Sequence, residues 1–369
     1  MSKHHYAAPN ARVPVADPKL FRPDWTGGTP RDPNLLWLDK NENADPELAK
    51  LTARLLYEID PAAIYLYPEC TPLYNKLAGH LGVKTDHLLL TAGSDGAIRS
   101  VFEAFINPGD VAVHTVPTFA MYAVYSKMYG AKVVPLVYQP SDKGPVLTVE
   151  EVVNTIVKVR PKLVCLPNPD SPTGTVFVPS EIREIIEAAG RSGALILIDE
   201  AYYPFYEHTV VPWVDEYEHM VVARTFAKAW GISGLRIGYG VACADVARLL
   251  HKVRPMYEVN TLAVAMVDKM LDHSDEVLAS VRRLNAGRDT FIEEMKALQL
   301  RTLVTHGNFL HVAFGQYAAA VHERLKSVVL YRLDGSEPCL KGFSRFSATT
   351  VERFQPVIKH IQQVVMKMR

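Results

Sequence analysis

The chain has 369 residues, and its 40 basic residues equal its 40 acidic residues, so that its formal net charge is zero. This balance argues against a polyanionic partner, because proteins that bind nucleic acid usually carry a basic excess. The sequence shows neither a secretory signal nor a membrane-spanning run, and its four cysteines are scattered, so we expect a cytoplasmic protein without a disulfide framework or a metal centre.

The predicted elements change character along the chain. Residues 1–40 are rich in Pro, Asp, Arg and Gly and have little periodicity, which predicts an irregular N-terminal arm. Across residues 41–255, short apolar runs alternate with stretches of helical periodicity, which predicts a large α/β domain with a mostly parallel sheet between layers of helices. Across residues 256–369, long amphipathic helix patterns surround short strands, which predicts a smaller α+β domain.

Five loops with polar or glycine-rich sequences follow predicted strands of the large domain. In open α/β sheets, ligands bind outside the carboxyl ends of the strands, so these loops are candidates for one site. The first loop, residues 93–96, is a strand-to-helix turn with free amides that suit an anion. The second, residues 117–122, carries aromatic side chains that either stack on a planar ligand or belong to the core.

The third and fourth loops add polar groups. Residues 168–174 contain two prolines and a glycine, which indicates either a rigid loop that presents Asn and Ser or an ordinary turn. Asp199 ends a continuous apolar strand, and a charge in that position needs a partner. It either caps the next segment or pairs with a protonated heterocyclic nitrogen.

The fifth loop contains Lys228, a run of glycines and Arg236. Glycines let the backbone approach a ligand closely, and a guanidinium is suited to a phosphate. A flexible amine beside a phosphate clamp is typical of an enzyme that holds an aldehyde cofactor as a Schiff base. The alternative is a surface lysine before a glycine-rich turn.

The order and spacing of these loops resemble the fold-type-I pyridoxal-phosphate enzymes of the class I and II aminotransferases, in particular the histidinol-phosphate aminotransferases. The resemblance covers about residues 35–350. It implies a three-layer large domain, pyridoxal 5′-phosphate as cofactor and a role in amino-acid biosynthesis. The implied reaction transfers an amino group between an amino acid or phosphorylated amine and a 2-oxo acid.

The resemblance also implies roles for the matching residues around the cofactor ring. Lys228 would form the Schiff base and move the proton, and Asp199 would keep the pyridine nitrogen protonated. Phe119 would stack on the ring. Tyr202 would bind the ring hydroxyl O3′, and Ser171 stands at the position from which an Asn of the family usually contacts the same hydroxyl.

A further group of residues is implied to bind the cofactor phosphate. It comprises the backbone amides of Ser94 and Asp95, the side chains of Thr225 and Arg236, and Tyr67 from a neighbouring subunit. The contribution of Tyr67 implies a homodimer with shared active sites.

Three residues are implied to contact the substrate. Arg332 and Arg345 match the arginines that hold the anionic end of the substrate, and two guanidiniums suit a phosphate or a carboxylate equally well. The alternative for both is a surface ion pair. Asn43 belongs to an Asn-Glu-Asn segment that helps relatives to close over the substrate.

The sequence departs from the family pattern at several positions. Ser171 stands where Asn is usual, Ala227 where Ser is common and Gly96 where Glu is common, and residues 44–47 replace a Pro-x-Gly-Pro segment. A lost charge-assisted hydrogen bond costs roughly 1.5–3 kcal/mol, so we expect weaker or differently compensated cofactor binding. The change at residues 44–47, in a region that helps relatives to close over the substrate, favours a substrate other than histidinol phosphate. Together with Ser171, it also leaves open a second function, a decarboxylase of a phosphorylated amino acid on this fold.

Overall fold

The computed structural model describes residues 11–20, 30–333 and 335–369, so residues 1–10 and 21–29 of the predicted N-terminal arm lie outside the described residues. The helices are α1 (Val13–Ala16), α2 (Pro46–Tyr57), α3 (Thr71–Leu81), α4 (Gly93–Phe105), α5 (Met121–Met128), α6 (Val149–Val159), α7 (Pro179–Arg191), α8 (Ala244–His251), α9 (Thr261–Leu271), α10 (Ser274–Ala297), α11 (Ala318–Leu325) and α12 (Val351–Met368). Among the described residues, no helix is both long and apolar enough to cross a membrane.

The strands of the described residues form one large sheet and two small ones. Their bounds are β1 (Leu36–Trp37), β2 (Leu88–Thr91), β3 (Val111–Val116), β4 (Lys132–Val137), β5 (Leu163–Pro167), β6 (Leu195–Asp199), β7 (Met220–Thr225), β8 (Gly238–Ala242), β9 (Arg301–Leu303), β10 (Phe309–Ala313), β11 (Val329–Leu330) and β12 (Ser344–Ser347). The large sheet has seven strands in the order β2-β8-β7-β6-β5-β3-β4. Its β8 strand runs antiparallel to both neighbours, and the other pairs are parallel. The predicted α/β fold with a mostly parallel sheet is confirmed.

Helices cover both faces of the large sheet. All residues of β5 and β6 are buried, as their continuous apolar sequences predict. Alternate side chains of β6 enter different cores. Ile196 and Ile198 pack with α6 and α7, whereas Leu195 and Leu197 pack with α4 and α5. This arrangement gives the large domain its three layers.

The C-terminal region has a separate core beneath the antiparallel sheet β12-β10-β9. Phe291 of α10, Phe346 of β12 and Phe354 of α12 meet there, with ring centroids 4.7–5.4 Å apart. Leu38, from the predicted arm, is buried in this core. The chain reaches it because β1 pairs with β11.

The packing does not change at residue 255, where the sequence predicts the domain boundary. Val264 and Val267 of α9 and Val281 of α10 belong to the same core as Leu48 of α2. The C-terminal core begins only at Phe291, in the second half of α10. Helical periodicity shows that α9 has an apolar face but does not show which core that face covers, and the boundary at residue 255 stays a prediction.

The contact between α10 and the chain that follows β12 allows a direct test of the packing. A Cβ at Gly287 would overlap the carbonyl oxygen of Thr349. We expect Gly287→Ala to lower the free energy of unfolding by about 3 kcal/mol or more, since backbone cannot move aside as a side chain can. Chemical denaturation monitored by circular dichroism measures this change.

Gly79, inside α3, is the matched control because a Cβ there meets nothing within 4 Å. We expect Gly79→Ala to raise the free energy of unfolding by roughly 0.5–1 kcal/mol through the better helix propensity of alanine. Equal effects of the two substitutions would contradict the described packing of α10.

Candidate active site

The five loops singled out in the sequence leave one edge of the large sheet. Strands β3, β5, β6 and β7 are parallel. Strand β2 runs in the same direction, because β8 is antiparallel to both β2 and β7. The carboxyl ends of all five strands therefore meet at this edge, where open α/β sheets bind ligands.

Lys228 lies in the loop after β7, with its amine directed at the chain near the N-terminus. Its Nζ donates a hydrogen bond of 2.9 Å to the carbonyl oxygen of Lys40 and lies 5.8 Å from the centre of the Tyr202 ring. Burial lowers the pKa of the Lys228 amine, and the positive charges of Arg345 and Arg236 act in the same direction. A larger fraction of this amine is neutral than in an ordinary lysine.

Asp199, at the end of β6, is 5% exposed. One carboxylate oxygen accepts a hydrogen bond of 2.8 Å from the Tyr122 hydroxyl, and the other accepts one of 3.0 Å from the Ala201 amide. Burial raises the pKa of Asp199 to about 6, and the Tyr122 hydrogen bond opposes this rise. A protonated heterocycle would be a favourable partner for such a carboxylate.

Tyr202 contacts Asn41, which belongs to the same Asn-Glu-Asn segment as Asn43, the residue predicted to contact the substrate. The Asn41 side-chain amide donates a hydrogen bond of 2.9 Å to the Tyr202 hydroxyl. The Asn43 amide instead donates to the Ala229 carbonyl at 2.9 Å and to the Ser280 hydroxyl at 3.1 Å. Its oxygen accepts from the amide of residue 45. The polar atoms of Asn43 are thus used within the fold, and Asn41 is the side chain that reaches Tyr202.

The N-terminus of α4 forms a cradle for an anion. Helix α4 begins at Gly93 without a side-chain cap, so the amides of Ser94 and Asp95 lie at an open helix N-terminus. A Cβ at Gly93 would lie 2.8 Å from Nη2 of Arg236, and one at Gly238 would lie 2.6 Å from the amide nitrogen of Ser94. The guanidinium therefore lies against the first turn of α4, and the close approach requires both glycines. Open amides beside a guanidinium fit a phosphate.

Thr225 ends β7 and is buried. Its hydroxyl accepts a hydrogen bond of 3.1 Å from the amide of Ala227. This bond shapes the turn that leads to Lys228. The Ala227 side chain itself is buried and apolar, so the turn is held by Thr225.

Arg332 and Arg345 lie opposite each other across an antiparallel bridge. Both guanidiniums donate to the carbonyl oxygen of Asp39, at 3.1 Å and 3.4 Å, while the Asp39 carboxylate pairs with Arg31 at 2.8 Å. Arg345 also lies 5.5 Å from the centre of the Phe309 ring. Burial lowers the pKa of Arg345, and the charge of Arg332 adds to this effect. Two adjacent positive charges favour an anion between them.

The remaining predicted residues differ in their surroundings. Phe119 is 39% exposed, and its ring meets that of Tyr122 edge-on at 6.0 Å. Ser171 is partly exposed in the loop after β5. Tyr67 lies apart from the others, 72% exposed, with its ring stacked on that of Tyr257 at 4.1 Å.

The similarity to known proteins agrees with this arrangement. The sequence profile of the family described as "Aminotransferase class I and II" matches residues 33–361. The chain belongs to the class I and II aminotransferases. It is 31% identical over 333 residues to a histidinol-phosphate aminotransferase of Thermoanaerobacter sp. (strain X514), which covers 89% of this chain and 93% of that protein.

Two solved structures share the fold of this aminotransferase. One is the histidinol-phosphate aminotransferase of Sinorhizobium meliloti in complex with pyridoxal-5′-phosphate (TM-score 0.77, 22% identity, 90% of this chain and 91% of that chain). The other is the L-threonine-O-3-phosphate decarboxylase of Porphyromonas gingivalis (TM-score 0.76, 20% identity, 90% and 100%). At these identities the likeness shows the fold alone. The predicted fold and enzyme class are confirmed, and the roles of individual residues stay predictions.

Three side chains near the candidate site were not predicted from the sequence. Asn41 begins the same Asn-Glu-Asn segment as the predicted Asn43. Tyr122 lies in the first turn of α5, three positions after Phe119, and Asp170 lies beside Ser171. Each is within three positions of a predicted residue, but the identity of its partner depends on the tertiary fold.

The raised pKa of Asp199 predicts how the stability of the cofactor-free aminotransferase varies with pH. Its pKa of about 6 in the folded protein exceeds the ordinary value of 3.8. This group therefore stabilises the fold below pH 3.8, and that stabilisation is lost as the pH rises through 6. We compare the free energy of unfolding of the wild type with that of Asp199→Asn at each pH. We expect the wild-type value minus the variant value to fall between pH 4 and 7, by at most about 1.4 kcal/mol per pH unit.

Denaturant unfolding of both proteins across this pH range gives the measurement. Tyr122→Phe is the control, because it removes a hydroxyl that favours the charged carboxylate and so extends the window to higher pH. A difference that is constant with pH would show that Asp199 is not a perturbed carboxylate.

Proposed function

We propose that this chain uses pyridoxal 5′-phosphate to move an amino group between an amine with an anionic group and a 2-oxo acid. The amine would be a phosphorylated amine similar to histidinol phosphate or an amino acid. The observation that carries the proposal is Lys228, whose amine has a lowered pKa and lies at the edge of the sheet where Asp199 and Arg236 also lie.

The described residues fit this cofactor in three respects. The open N-terminus of α4 with Arg236 suits its phosphate, the buried Asp199 suits a protonated ring nitrogen, and Lys228 suits its aldehyde. When bound, the cofactor supplies an aldehyde that condenses with amines and a ring that accepts the electron pair released at the substrate Cα. Ser94, Asp95 and Thr225 complete the proposed phosphate site.

Lys228 would act both as the nucleophile toward the aldehyde and as the base for the substrate. Both roles require a neutral amine, and the burial and nearby cations that lower its pKa favour that form. Its Nζ would take the proton from the substrate Cα and hold it during the transfer. The hydrogen bond to the Lys40 carbonyl orients the amine before the substrate arrives.

Tyr202 would be the main ligand of the ring hydroxyl. Its oxygen accepts a hydrogen bond from Asn41, which leaves the Tyr202 hydroxyl proton free for another acceptor. Ser171 has a shorter side chain than the Asn usual in the family, so Tyr202 carries more of this contact. The half-exposed Phe119 would stack on the ring.

The arginine pair would bind the anionic end of the substrate. Arg345 and Arg332 share the Asp39 carbonyl as an acceptor and do not use the Asp39 carboxylate, which pairs with Arg31. The names of the related aminotransferases favour a phosphorylated amine as the substrate. The decarboxylase alternative has support only from likeness in fold.

A homodimer is proposed from an exposed apolar surface. Five large side chains at residues 57–67 and 256 are between 72% and 92% exposed, and exposed apolar side chains that cluster mark a candidate protein interface. They are Tyr57, Ile64, Tyr65, Tyr67 and Met256. A second copy of the chain would cover them and place Tyr67 at the partner's cofactor phosphate. A monomer in sedimentation analysis of the holoprotein would contradict the proposed homodimer. The cytoplasmic location stays a prediction.

The proposed role of Lys228 is tested by half-reactions. We expect the wild type, loaded with pyridoxal phosphate, to convert it to pyridoxamine phosphate on addition of an amino donor. We expect Lys228→Ala to slow this conversion by about 10²–10⁴-fold or more, because the base is lost. Absorbance spectra with a panel of donors follow the conversion.

Lys50→Ala, which removes an exposed lysine of α2, serves as the control and should react like the wild type. If the wild type yields no pyridoxamine phosphate with any donor, the proposed function is wrong. Carbon dioxide release from a phosphorylated amino acid without a 2-oxo acid would then support the decarboxylase.

The proposed substrate anion is tested at Arg345. We expect Arg345→Ala to lower kcat/KM for histidinol phosphate by about 10- to 100-fold, as one charge-assisted contact is lost. The decrease for histidinol, which lacks the phosphate, should be much smaller. Steady-state rates with a common 2-oxo acid give both values.

Arg248→Ala, in an exposed pair with Asp245, is the control and should leave both values unchanged. An equal loss for the two amines would mean that Arg345 does not recognise the phosphate.

A further inference from the structure

Asp170 is a second buried carboxylate at the edge of the sheet, and the roles proposed above do not use it. It lies three residues after the end of β5 and has no exposed surface. Its oxygens accept hydrogen bonds from the hydroxyls of Thr115 at 2.6 Å, Thr118 at 2.8 Å and Tyr138 at 3.1 Å. The fold thus brings three hydroxyl donors to one buried carboxylate.

These donors come from different elements. Thr115 lies in β3, Tyr138 directly follows β4, and Thr118 lies between β3 and α5, next to Phe119. Within its own loop, Asp170 is held by backbone hydrogen bonds to residues 174 and 175. The carboxylate therefore joins the loop of residues 168–174 to the segment of residues 117–122.

The segment of residues 117–122 has a second anchor at its other end. The hydroxyl of Tyr122 donates to Asp199. Phe119 thus lies between two side chains, Thr118 and Tyr122, that are each hydrogen-bonded to a buried carboxylate. The Phe119 ring is 39% exposed, so its position depends on these anchors more than on packing of the ring itself.

We propose that Asp170 is a positioning residue that holds the segment of residues 117–122 through Thr118 and so sets the place of the Phe119 ring. The proposal rests on the proposed function, because the surface that Phe119 would contact is the cofactor ring. Asp170 itself does not touch the cofactor.

The chemistry of the cluster explains why the position carries an acid. An ionised carboxylate only accepts hydrogen bonds, so it can serve three hydroxyl donors at once, whereas an asparagine would turn two N–H donors toward them. Burial raises the pKa of Asp170 to about 7, and the hydrogen bonds from Thr115, Thr118 and Tyr138 oppose this rise. The charge is tolerated in the interior because of these donors.

Three variants test the proposal. Asp170→Asn replaces one of the two accepting oxygens by an N–H donor group. Thr118→Val removes only the link to the segment of residues 117–122, and Thr115→Val removes only the link to β3. In the cofactor-free protein, we expect the amides of the segment to exchange with deuterium about 10-fold faster in the first two variants. We expect Thr115→Val to leave the exchange of the segment's amides unchanged. As a second control, we expect the amides of β6 to exchange at the wild-type rate in Thr118→Val.

Titration of the cofactor-free proteins with pyridoxal phosphate gives the second readout. We expect Asp170→Asn and Thr118→Val to raise the Kd by about 10-fold, and Thr115→Val to bind like the wild type. Thr118→Val decides the result if Asp170→Asn does not fold.

The outcomes separate this inference from the proposed function. Wild-type protein that binds no pyridoxal phosphate overturns the proposed function, and this inference with it. Wild-type binding together with unchanged exchange and unchanged Kd in Thr118→Val overturns the role of Asp170 alone.

Discussion

Burial of ionisable groups at one edge of the sheet is the constraint on which the site depends. Strands β5 and β6 are covered on both faces, so the groups at their carboxyl ends lie in a medium that disfavours charge. Burial raises the pKa of Asp199 to about 6 and that of Asp170 to about 7. It lowers the pKa of the Lys228 amine. One physical cause thus raises the pKa of the two buried acids and lowers that of the Lys228 amine, and the neutral amine is the form that can take a proton.

The strap of residues 39–41 connects this edge to the C-terminal region. Its Asp39 carbonyl accepts from both candidate substrate arginines, its Lys40 carbonyl accepts from Lys228, and its Asn41 side chain donates to Tyr202. Three consecutive residues therefore touch the proposed anion site, the amine and the ring-hydroxyl ligand. Residues 44–47, which depart from the family pattern, have a structural role. Asp45 caps α2 and pairs with Arg283 at 2.6 Å.

Much of the fold and the frame of the site could be predicted from local patterns. Apolar runs and helical periodicity identify β5, β6 and their flanking helices, and the rule for strand ends brings the five loops together. The partners could not be predicted, because they depend on contacts between distant segments. Asn41 and Asn43 are both plausible from the sequence, and only the turn of the strap, with Asn41 at φ 55°, selects Asn41. Tyr122 and Asp170 were missed for the same reason.

We propose Lys228 as the residue to which the cofactor is covalently attached. Reduction of the loaded protein with borohydride makes such a bond permanent, and peptide mapping by mass spectrometry then locates it. We expect one pyridoxyl group per chain, on the peptide that contains Lys228. A pyridoxyl group on another lysine, or none retained after unfolding, would contradict it.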